Sequence, residues 1–237
     1  MMQEKVLLII PCYNEEAALP ALLSEVAKTA FPDLYKVDVI VVNDCSTDNT
    51  VAVAKQMNVL VLDLPMNLGI GGAVQSGIQY AFNNQYDYAI QLDGDGQHPP
   101  AEVVTLLNAQ KKYNVDVVIG SRFVGNGDGF QSSFIRRLGI RYFHWLNRIF
   151  TGNQIFDSTS GFRLLNKNAI ALASNNYPDE YPEPESLVLF AKAGLKVKEV
   201  SVQMRERQGG TSSIGKSASV YYSLKVSLGM FFTFIRH

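Results

Sequence analysis

Two acidic residues separated by a glycine directly follow a predicted buried strand. The strand covers residues 86–92 and continues into Asp93-Gly-Asp-Gly-Gln-His-Pro-Pro100. Carboxylate oxygens are preferred ligands of hard cations such as Mg²⁺ and Mn²⁺. A cation held there would stabilise negative charge that develops on a phosphate group. Asp93 and Asp95 are therefore the leading candidates for a metal site.

Other interpretations of this region are tested by spacing. Asp-Gly-Asp-Gly is also an ordinary turn sequence. A calcium loop needs Gly and Glu at its sixth and twelfth positions, where the chain has His98 and Val104. A dinucleotide-binding fingerprint begins at Gly69 and Gly71, but Val74 replaces its third glycine. The spacing excludes both motifs and leaves the metal site and the plain turn.

Three more polar loops follow predicted strands in the same way. The carboxyl ends of parallel strands meet at one edge of a sheet, where ligands bind. We therefore expect the carboxylates of these loops to lie close to Asp93 and Asp95, where they would repel one another without a cation. The three loops begin at Asn14, Asp44 and Asn67.

Five apolar segments alternate with segments of helical spacing. Apolar residues from Leu19 to Ala27 predict a helix, with Glu15 and Glu16 in its first turn. The alternation predicts an α/β fold, with a mostly parallel, doubly wound sheet and helices on both faces. The pattern weakens after about residue 125, which predicts a substrate-binding extension. The strands are predicted at residues 6–10, 37–42, 59–64, 86–92 and 115–120.

Composition narrows the class of protein. The chain has 237 residues, 47% of them hydrophobic, and a net charge of -1. That length suits one large α/β domain or two small ones, and the charge argues against broad nucleic-acid binding. Cys12 and Cys45 form no metal-binding or disulfide pattern. No segment reaches the ~20 apolar residues of a membrane span, so a cytoplasmic protein is predicted.

Several motifs in a fixed order resemble the family 2 glycosyltransferases of the GT-A fold, in the polyprenyl-phosphate sugar transferase, dolichyl-phosphate mannose synthase-like branch. The resemblance covers nearly the whole chain. It predicts a catalytic domain over residues 1–215, with a nucleotide-binding half to about 122 and an acceptor-binding half from about 123. The motifs are Pro11-Cys-Tyr-Asn-Glu15, Asn43-Asp-Cys-Ser-Thr-Asp-Asn-Thr50, Asn67-Leu-Gly69, the Asp93–Pro100 run, Ser121-Arg-Phe123, Asp157-Ser-Thr-Ser-Gly-Phe-Arg163 and Arg205-Glu-Arg-Gln-Gly-Gly-Thr-Ser-Ser213.

The resemblance implies a role for each matching residue. The nucleoside and the rest of a UDP-sugar donor would be bound by Pro11, Tyr13, Glu15, Asp44, Asn67 and Gly69. The metal, Mg²⁺ or Mn²⁺, would be bound by Asp93, Asp95 and Gln97. The acceptor phosphate would be bound by Arg122 with Arg136 or Arg137. The donor diphosphate would be covered by Arg205 or Arg207 from a mobile loop.

Two positions depart from the family pattern. Many relatives have two acids where this chain has Asn43 and Asp44, which weakens the assignment of Asp44 to the nucleoside. Many also have a basic residue where this chain has Ile70, so one charge near the donor is missing.

The acceptor remains open between two chemical classes. A lipid phosphate is already ionised and needs cations rather than a strong base, whereas a hydroxyl needs a carboxylate base. Glu183 and Glu185 are the candidate bases, or they stabilise the start of a helix near Ser186. Arg136 and Arg137 have a solvated helix face as the lesser alternative. An ion pair could likewise join Asp157 to Arg163, both second-tier site candidates.

The last apolar segment predicts a helix within residues 216–237. It is apolar nearly all round, so it is either deeply buried or lies against a bilayer or a membrane partner. The peripheral interpretation predicts a location at the inner face of the cell membrane and a small membrane protein as anchor. A homo-oligomer stays open.

The hypothesis that joins these observations is inverting transfer of a hexose or N-acetylhexosamine from a UDP-sugar to a polyprenyl (undecaprenyl) phosphate, for cell-surface glycan synthesis. The alternative in the same fold is transfer to a hydroxyl of a polysaccharide. A sugar-phosphate nucleotidyltransferase would need a glycine-rich basic loop where the chain has Pro11-Cys-Tyr-Asn-Glu15. A non-catalytic scaffold would have no need of Asp93, Asp95 and Gln97.

Overall fold

The computed structural model describes residues 3–124, 134–205 and 219–235. Seven strands and eight helices lie within these residues. The strands are β1 (Glu4–Cys12), β2 (Tyr35–Asn43), β3 (Leu60–Asp63), β4 (Tyr88–Gln91), β5 (Val117–Ser121), β6 (Arg163–Asn166) and β7 (Val197–Ser201). The helices are α1 (Leu19–Lys28), α2 (Thr50–Gln56), α3 (Gly69–Asn83), α4 (Glu102–Tyr113), α5 (Phe134–Thr151), α6 (Lys167–Asn176), α7 (Pro182–Lys192) and α8 (Ser219–Ile235).

The strands form one sheet in the order β3-β2-β1-β4-β6-β5-β7. All pairings are parallel except the two made by β6, which lies antiparallel between β4 and β5. The predicted mostly parallel α/β sheet is therefore confirmed. The inserted strand was not predicted, because its four residues are too few to show a periodicity.

Helices cover both faces of the sheet, as predicted. On one face α1, α2 and α4 bury apolar side chains such as Leu19, Leu22 and Leu106. On the other face α3, α6 and α7 do the same with Val74, Ile170 and others. The central strand β1 alternates between the two clusters, which is the period of two expected of a strand buried on both sides.

A third, smaller cluster joins α5, α7 and α8. It contains Leu146, Val188, Val226 and Met230, with Phe150 and Tyr181 packed against it. The described side chains of the last helix thus attach it to the domain through Val226 and Met230. No described helix combines the length and the apolar character needed to cross a membrane.

Two helices begin elsewhere than predicted. Helix α1 starts at Leu19, so Glu15 and Glu16 lie in the preceding loop, where their N–H groups bond to Thr50 Oγ1 and to Asp48 Oδ2. The Glu15 carbonyl oxygen accepts the N–H groups of Ala18 and Leu19, so residues 15–18 form a turn that leads into the helix. Helix α7 begins at Pro182 rather than near Ser186.

Candidate active site

The loop between β4 and α4 carries the predicted metal ligands. Asp95 is 4% exposed, and its two carboxylate oxygens accept hydrogen bonds from the backbone N–H and the side-chain amide of Gln97, at 3.0 and 2.8 Å. The side chain of Asp93 is 33% exposed and accepts a 3.1 Å bond from Gln91. The structure thus brings Asp95 and Gln97 into contact and leaves Asp93 accessible on the same loop.

His98 closes this loop, a role that the sequence alone did not indicate. Its Nδ1 accepts the backbone N–H of Asp93 at 3.1 Å, and its Nε2 lies 3.7 Å from an Asp93 carboxylate oxygen. The ring stacks on Phe162 with 4.9 Å between centroids. Because Nδ1 accepts a bond, we assign the ring proton to Nε2, which faces Asp93. The sequence signal that could have indicated this role is the position of His98 in the Gln-His-Pro-Pro run.

Negative charge accumulates around the end of β1. Burial raises the pKa of the Cys12 thiol, and Glu15, Asp48, Asp93 and Asp95 raise it further. These acids belong to three loops that follow β1, β2 and β4, and the parallel pairing of the three strands places the loops at one edge of the sheet. Acids at one edge repel one another, which favours a bound cation.

Residues 92–101, between β4 and α4, form the acidic loop, and Gly94 allows this loop to approach β1 closely. A Cβ at this position would lie 2.9 Å from Cys12 Sγ, 3.1 Å from the Pro11 carbonyl oxygen and 3.4 Å from Glu15 Cγ. A side chain there would push the two loops apart. The glycine between the two acids therefore places Glu15 beside them.

The donor atoms at this loop fit a magnesium or manganese ion. Within the described residues, no three His, Cys, Asp or Glu side chains form a metal-binding group. Asp93, Asp95 and Gln97 instead offer two carboxylates and an amide oxygen, and Mg²⁺ commonly takes its other ligands from phosphates and water. Gln97 directs its amide nitrogen to Asp95, so binding through its oxygen requires the amide to turn.

Asp44 joins two of the predicted donor-binding segments. It is buried, and its Oδ1 accepts the backbone N–H of Leu68 at 2.6 Å. The Asn67 amide donates to the Asp44 carbonyl oxygen at 3.1 Å, and Asn67 Oδ1 accepts the Gly69 N–H. Asp44 therefore holds the turn that precedes α3. Tyr13 is exposed at the same edge.

Arg122, which was predicted to bind the acceptor phosphate, forms an ion pair with Asp157. Its Nε and Nη2 donate to the two carboxylate oxygens of Asp157 at 2.8 and 2.7 Å, and its backbone N–H bonds to the same carboxylate. The Asp157 side chain is fully buried, whereas 22% of the Arg122 side chain is exposed. Burial opposes the charge of Arg122, but Asp157 and then Asp93 outweigh it and raise the Arg122 pKa.

Arg163 does not form the ion pair with Asp157 that the sequence suggested. Its buried guanidinium donates to the carbonyl oxygens of Ser158, Ser160 and Glu183 and to Ser186 Oγ, at 2.7–2.8 Å. It therefore ties the loop before β6 to the start of α7. The carboxylate of Asp157 is occupied by Arg122 instead.

Glu183 and Glu185 point to different surroundings, although both lie in the first turn of α7. Burial raises the pKa of Glu183, and Asp93 adds to the rise while Arg163 opposes it. Glu185 accepts a 3.1 Å hydrogen bond from Thr233 of α8 and lines a cavity of about 1030 Å³ beside that helix. Glu183 is thus on the side of the acidic loop, and Glu185 is on the side of α8.

Residues 7–172 match the sequence model of the family described as glycosyl transferase family 2. The chain belongs to glycosyl transferase family 2. The enzyme is therefore a glycosyltransferase.

Two relatives of this glycosyltransferase have names that specify a lipid phosphate. An undecaprenyl-phosphate mannosyltransferase of Micrococcus luteus is 30% identical over 221 residues, 89% of this chain and 87% of that protein. A UDP-N-acetylglucosamine–dolichyl-phosphate N-acetylglucosaminyltransferase of Methanococcus voltae is 24% identical over 222 residues, 86% of each chain. These relatives support the polyprenyl-phosphate sugar transferase branch.

A solved structure confirms the GT-A fold. Glucosyl-3-phosphoglycerate synthase of Mycobacterium tuberculosis, in complex with Mn²⁺, UDP-glucose and phosphoglyceric acid, matches with a TM-score of 0.72 at 17% identity. The match covers 98% of this chain and 80% of that one.

Of the remaining predicted arginines, the structure of the glycosyltransferase describes the side chain of Arg205 alone. Arg205 donates its backbone N–H to the Gln97 carbonyl oxygen at 2.9 Å, while its guanidinium makes two bonds to Glu25 of α1. The backbone of Arg205 is therefore adjacent to the acidic loop, whereas its guanidinium pairs with a carboxylate of α1. The side chains of Arg136 and Arg137, on α5, and the whole of Arg207 are outside the described residues.

Proposed function

We propose that this glycosyltransferase moves a hexose or N-acetylhexosamine from a UDP-sugar to a polyprenyl phosphate, with inversion at the anomeric carbon. The reaction would take place at the cytoplasmic face of the membrane and serve cell-surface glycan synthesis. A divalent cation, Mg²⁺ or Mn²⁺, would be bound by Asp93, Asp95 and Gln97.

The observation that carries the proposal is the placement of Arg122. Its guanidinium is fixed by Asp157, which lies on the loop whose Gly161 approaches Asp93. A preorganised positive group near Asp93 supports binding of an anionic acceptor. Asp157 occupies the Nε–Nη2 edge, so the N–H groups on the other edge of the guanidinium would be the ones to meet phosphate oxygens.

The chain's own residues then have separate tasks in the transfer. The turn held by Asp44 and the exposed Tyr13 would bind and orient the nucleoside. The cation supplies stabilisation of the charge on the departing diphosphate. Arg122 would hold the acceptor phosphate in line with the sugar, and since that phosphate is already ionised, no strong base is needed.

The names of relatives and neighbours support the finer features of the proposal. The Methanococcus voltae relative is named for a UDP-sugar donor and a dolichyl-phosphate acceptor, and the Mycobacterium tuberculosis structure contains both Mn²⁺ and UDP-glucose. The acidic loop has a donor set that would accept either metal.

We also propose peripheral contact with the membrane through α8, either with the bilayer or with a small membrane protein. Leu224, Leu228, Phe231, Phe232 and Ile235 are exposed on this helix, which has one charged residue, Lys225. An exposed apolar patch of this kind is typical of an interaction surface. A homo-oligomer through the same helix would be a second way to cover it.

Labelled UDP-sugars test the proposal directly. The purified protein is incubated with Mn²⁺ or Mg²⁺, a panel of such donors and polyprenyl phosphate in detergent. Label in the lipid fraction is the expected result. A protein that hydrolyses or binds UDP-sugars but never labels the lipid would overturn the assigned acceptor.

A hydroxyl acceptor is the second candidate, and one observation favours it. Burial raises the pKa of Glu183, which would make this carboxylate a better base, and Asp93 contributes to the rise. The two candidate acceptors predict opposite results for two variants. With a lipid phosphate acceptor Arg122→Ala removes most transfer and Glu183→Gln leaves it, whereas a glycan acceptor requires Glu183.

A further inference from the structure

The loop before β6 is held by buried charged groups on two sides. Residues 152–162 connect α5 to β6 and carry Asp157, the carboxylate that fixes Arg122. The loop contains no regular secondary structure, so its N–H and C=O groups need partners elsewhere. Glu199 accepts hydrogen bonds from two of the backbone N–H groups, and Arg163 donates hydrogen bonds to two of the backbone carbonyl oxygens.

Glu199 accepts hydrogen bonds from two backbone N–H groups of this loop. This residue of β7 is 9% exposed, and its Oε2 and Oε1 accept the backbone N–H groups of Phe156 and Asp157 at 2.8 and 2.6 Å. Both oxygens of one buried carboxylate thus receive consecutive N–H groups. A buried charge is costly unless its bonds are satisfied, and here each is short.

Arg163 donates hydrogen bonds to two backbone carbonyl oxygens of the same loop. Its guanidinium donates to the carbonyl oxygens of Ser158 and Ser160, both at 2.8 Å. The strand register explains the arrangement, because Ile119 of β5 is paired with Arg163 on one side and with Glu199 on the other. Side chains in register on neighbouring strands point to the same face of a sheet.

The consequence reaches Arg122 through Asp157. The backbone of Asp157 is held by Glu199, and its side chain binds three N–H groups of Arg122 between 2.7 and 3.0 Å. The contacts therefore run without a gap from β7 to the acceptor-side arginine.

We propose that Glu199 is a positioning residue for Arg122 and hence, if the proposed function holds, for the acceptor phosphate. It acts without touching the substrate. The required group is a carboxylate with two acceptor oxygens. A glutamine offers one acceptor and one NH₂ group, and the NH₂ would face a backbone N–H, donor against donor.

Chemical modification tests the positioning without any assumption about the substrate. Phenylglyoxal modifies accessible guanidinium groups, and the adduct on the Arg122 peptide is followed by mass spectrometry. The expected result is faster modification of Arg122 in Glu199→Gln than in the wild type. An unchanged rate at Arg122 would overturn the proposal, and Glu199→Asp gives the same test if the glutamine variant does not fold.

Asp116→Asn is the matched control. Asp116 also accepts a backbone N–H next to the same strand pair, from Lys196 at 2.9 Å, but just before β5 and β7 begin, whereas Glu199 lies in the middle of β7. This variant should leave the Arg122 rate unchanged. Equal acceleration in both variants would mean general loosening of the sheet and would also overturn the proposal.

A double-mutant cycle then tests the functional part. Glu199→Gln is expected to raise the KM for polyprenyl phosphate by about tenfold or more, as small displacements of positioned groups do, with the UDP-sugar KM unchanged. In an Arg122→Ala background Glu199→Gln should have no further effect. Losses that multiply would contradict action through Arg122. If the wild type transfers nothing to polyprenyl phosphate, the proposed function fails, and the modification assay still decides the positioning role.

Discussion

Asp157 is a buried carboxylate whose charge is balanced by one partly exposed arginine. Asp157→Ala leaves the Arg122 guanidinium without its two-point partner, so the free energy of unfolding should fall by about 3 kcal/mol, as for other broken buried pairs. Urea denaturation measures the change.

A surface pair provides the comparison. Glu25→Ala breaks the ion pair with Arg205. The side chains of Glu25 and Arg205 are 35% and 43% exposed, so the free energy of unfolding should fall by less than about 1 kcal/mol. Equal losses in the two variants would show that the Arg122 pair contributes no more than a surface contact.

The proximity of the proposed metal ligands could be predicted from the sequence because they are neighbours in it. Asp93, Asp95 and Gln97 lie on one loop, so their proximity required only the strand that precedes them. Glu199 could not be found this way, because its partners at Phe156 and Asp157 are more than forty residues away. An isolated acid in a short strand gives no sign of which backbone groups it will meet.

Gly161 lies where the loop before β6 approaches the acidic loop. A Cβ there would be 2.6 Å from Gln91 Nε2 and 3.1 Å from Asp93 Oδ1. Gly161→Ala should displace the Gln91 amide, reorient Asp93 and lower kcat/KM for the UDP-sugar by about tenfold or more. Steady-state kinetics with varied donor measures the loss.

Gly152→Ala is the control for this variant. Gly152 has φ +70° with no atom near its Cβ position, so alanine should cost about 1–2 kcal/mol of stability without affecting turnover. Full donor affinity in Gly161→Ala would contradict the assigned contact between the two loops.

The contact between α7 and α8 predicts a pH dependence of stability. Burial raises the pKa of Glu185, chiefly opposed by the hydrogen bond from Thr233. The folded state therefore favours the protonated carboxyl, and stability is lost as the pH rises through the folded-state pKa. Glu185→Gln removes that loss.

Urea denaturation between about pH 4 and pH 7 tests this dependence, because an unfolded glutamate titrates near pH 4.3. The variant should gain stability relative to the wild type as the pH rises, and the gain should vanish below that range. A difference that does not change with pH would contradict the raised pKa.

The order of the first strands and helices was predictable, while the later elements were not. Strands β1 to β5 have continuous apolar runs with helical periodicity between them. Strand β6 depends on non-local pairing with β4 and β5, and the loop before α1 is bonded to Asp48 and Thr50 of another loop. Such tertiary contacts override local pattern.

One side of the molecule presents exposed apolar side chains from two joined helices. Tyr142 of α5 bonds to Ser227 of α8 at 2.8 Å, and Phe150 packs on Phe234. Trp145, 58% exposed, is the one tryptophan of the chain. Helix α5 has four arginines and no acid, which would favour an anionic surface.

Tryptophan fluorescence therefore reports on membrane contact directly. Vesicles containing anionic lipid should shift the Trp145 emission to shorter wavelength, and neutral vesicles should do so more weakly. Leu228→Ser on α8 should weaken the effect, while Phe82→Ser, an exposed aromatic of α3, should not. An emission spectrum that no vesicle changes would contradict bilayer contact through this face.

The central claim is that Asp93 and Asp95 bind a cation that holds the donor diphosphate. Calorimetric titration with UDP, with and without Mn²⁺, tests it most directly in the wild type, in Asp95→Ala and in Asp33→Ala, an exposed acid away from the site. We expect UDP binding to require Mn²⁺ in the wild type and in Asp33→Ala, and to be lost, with all transfer, in Asp95→Ala. Wild-type binding and turnover in Asp95→Ala, or in the presence of a chelator, would contradict the account.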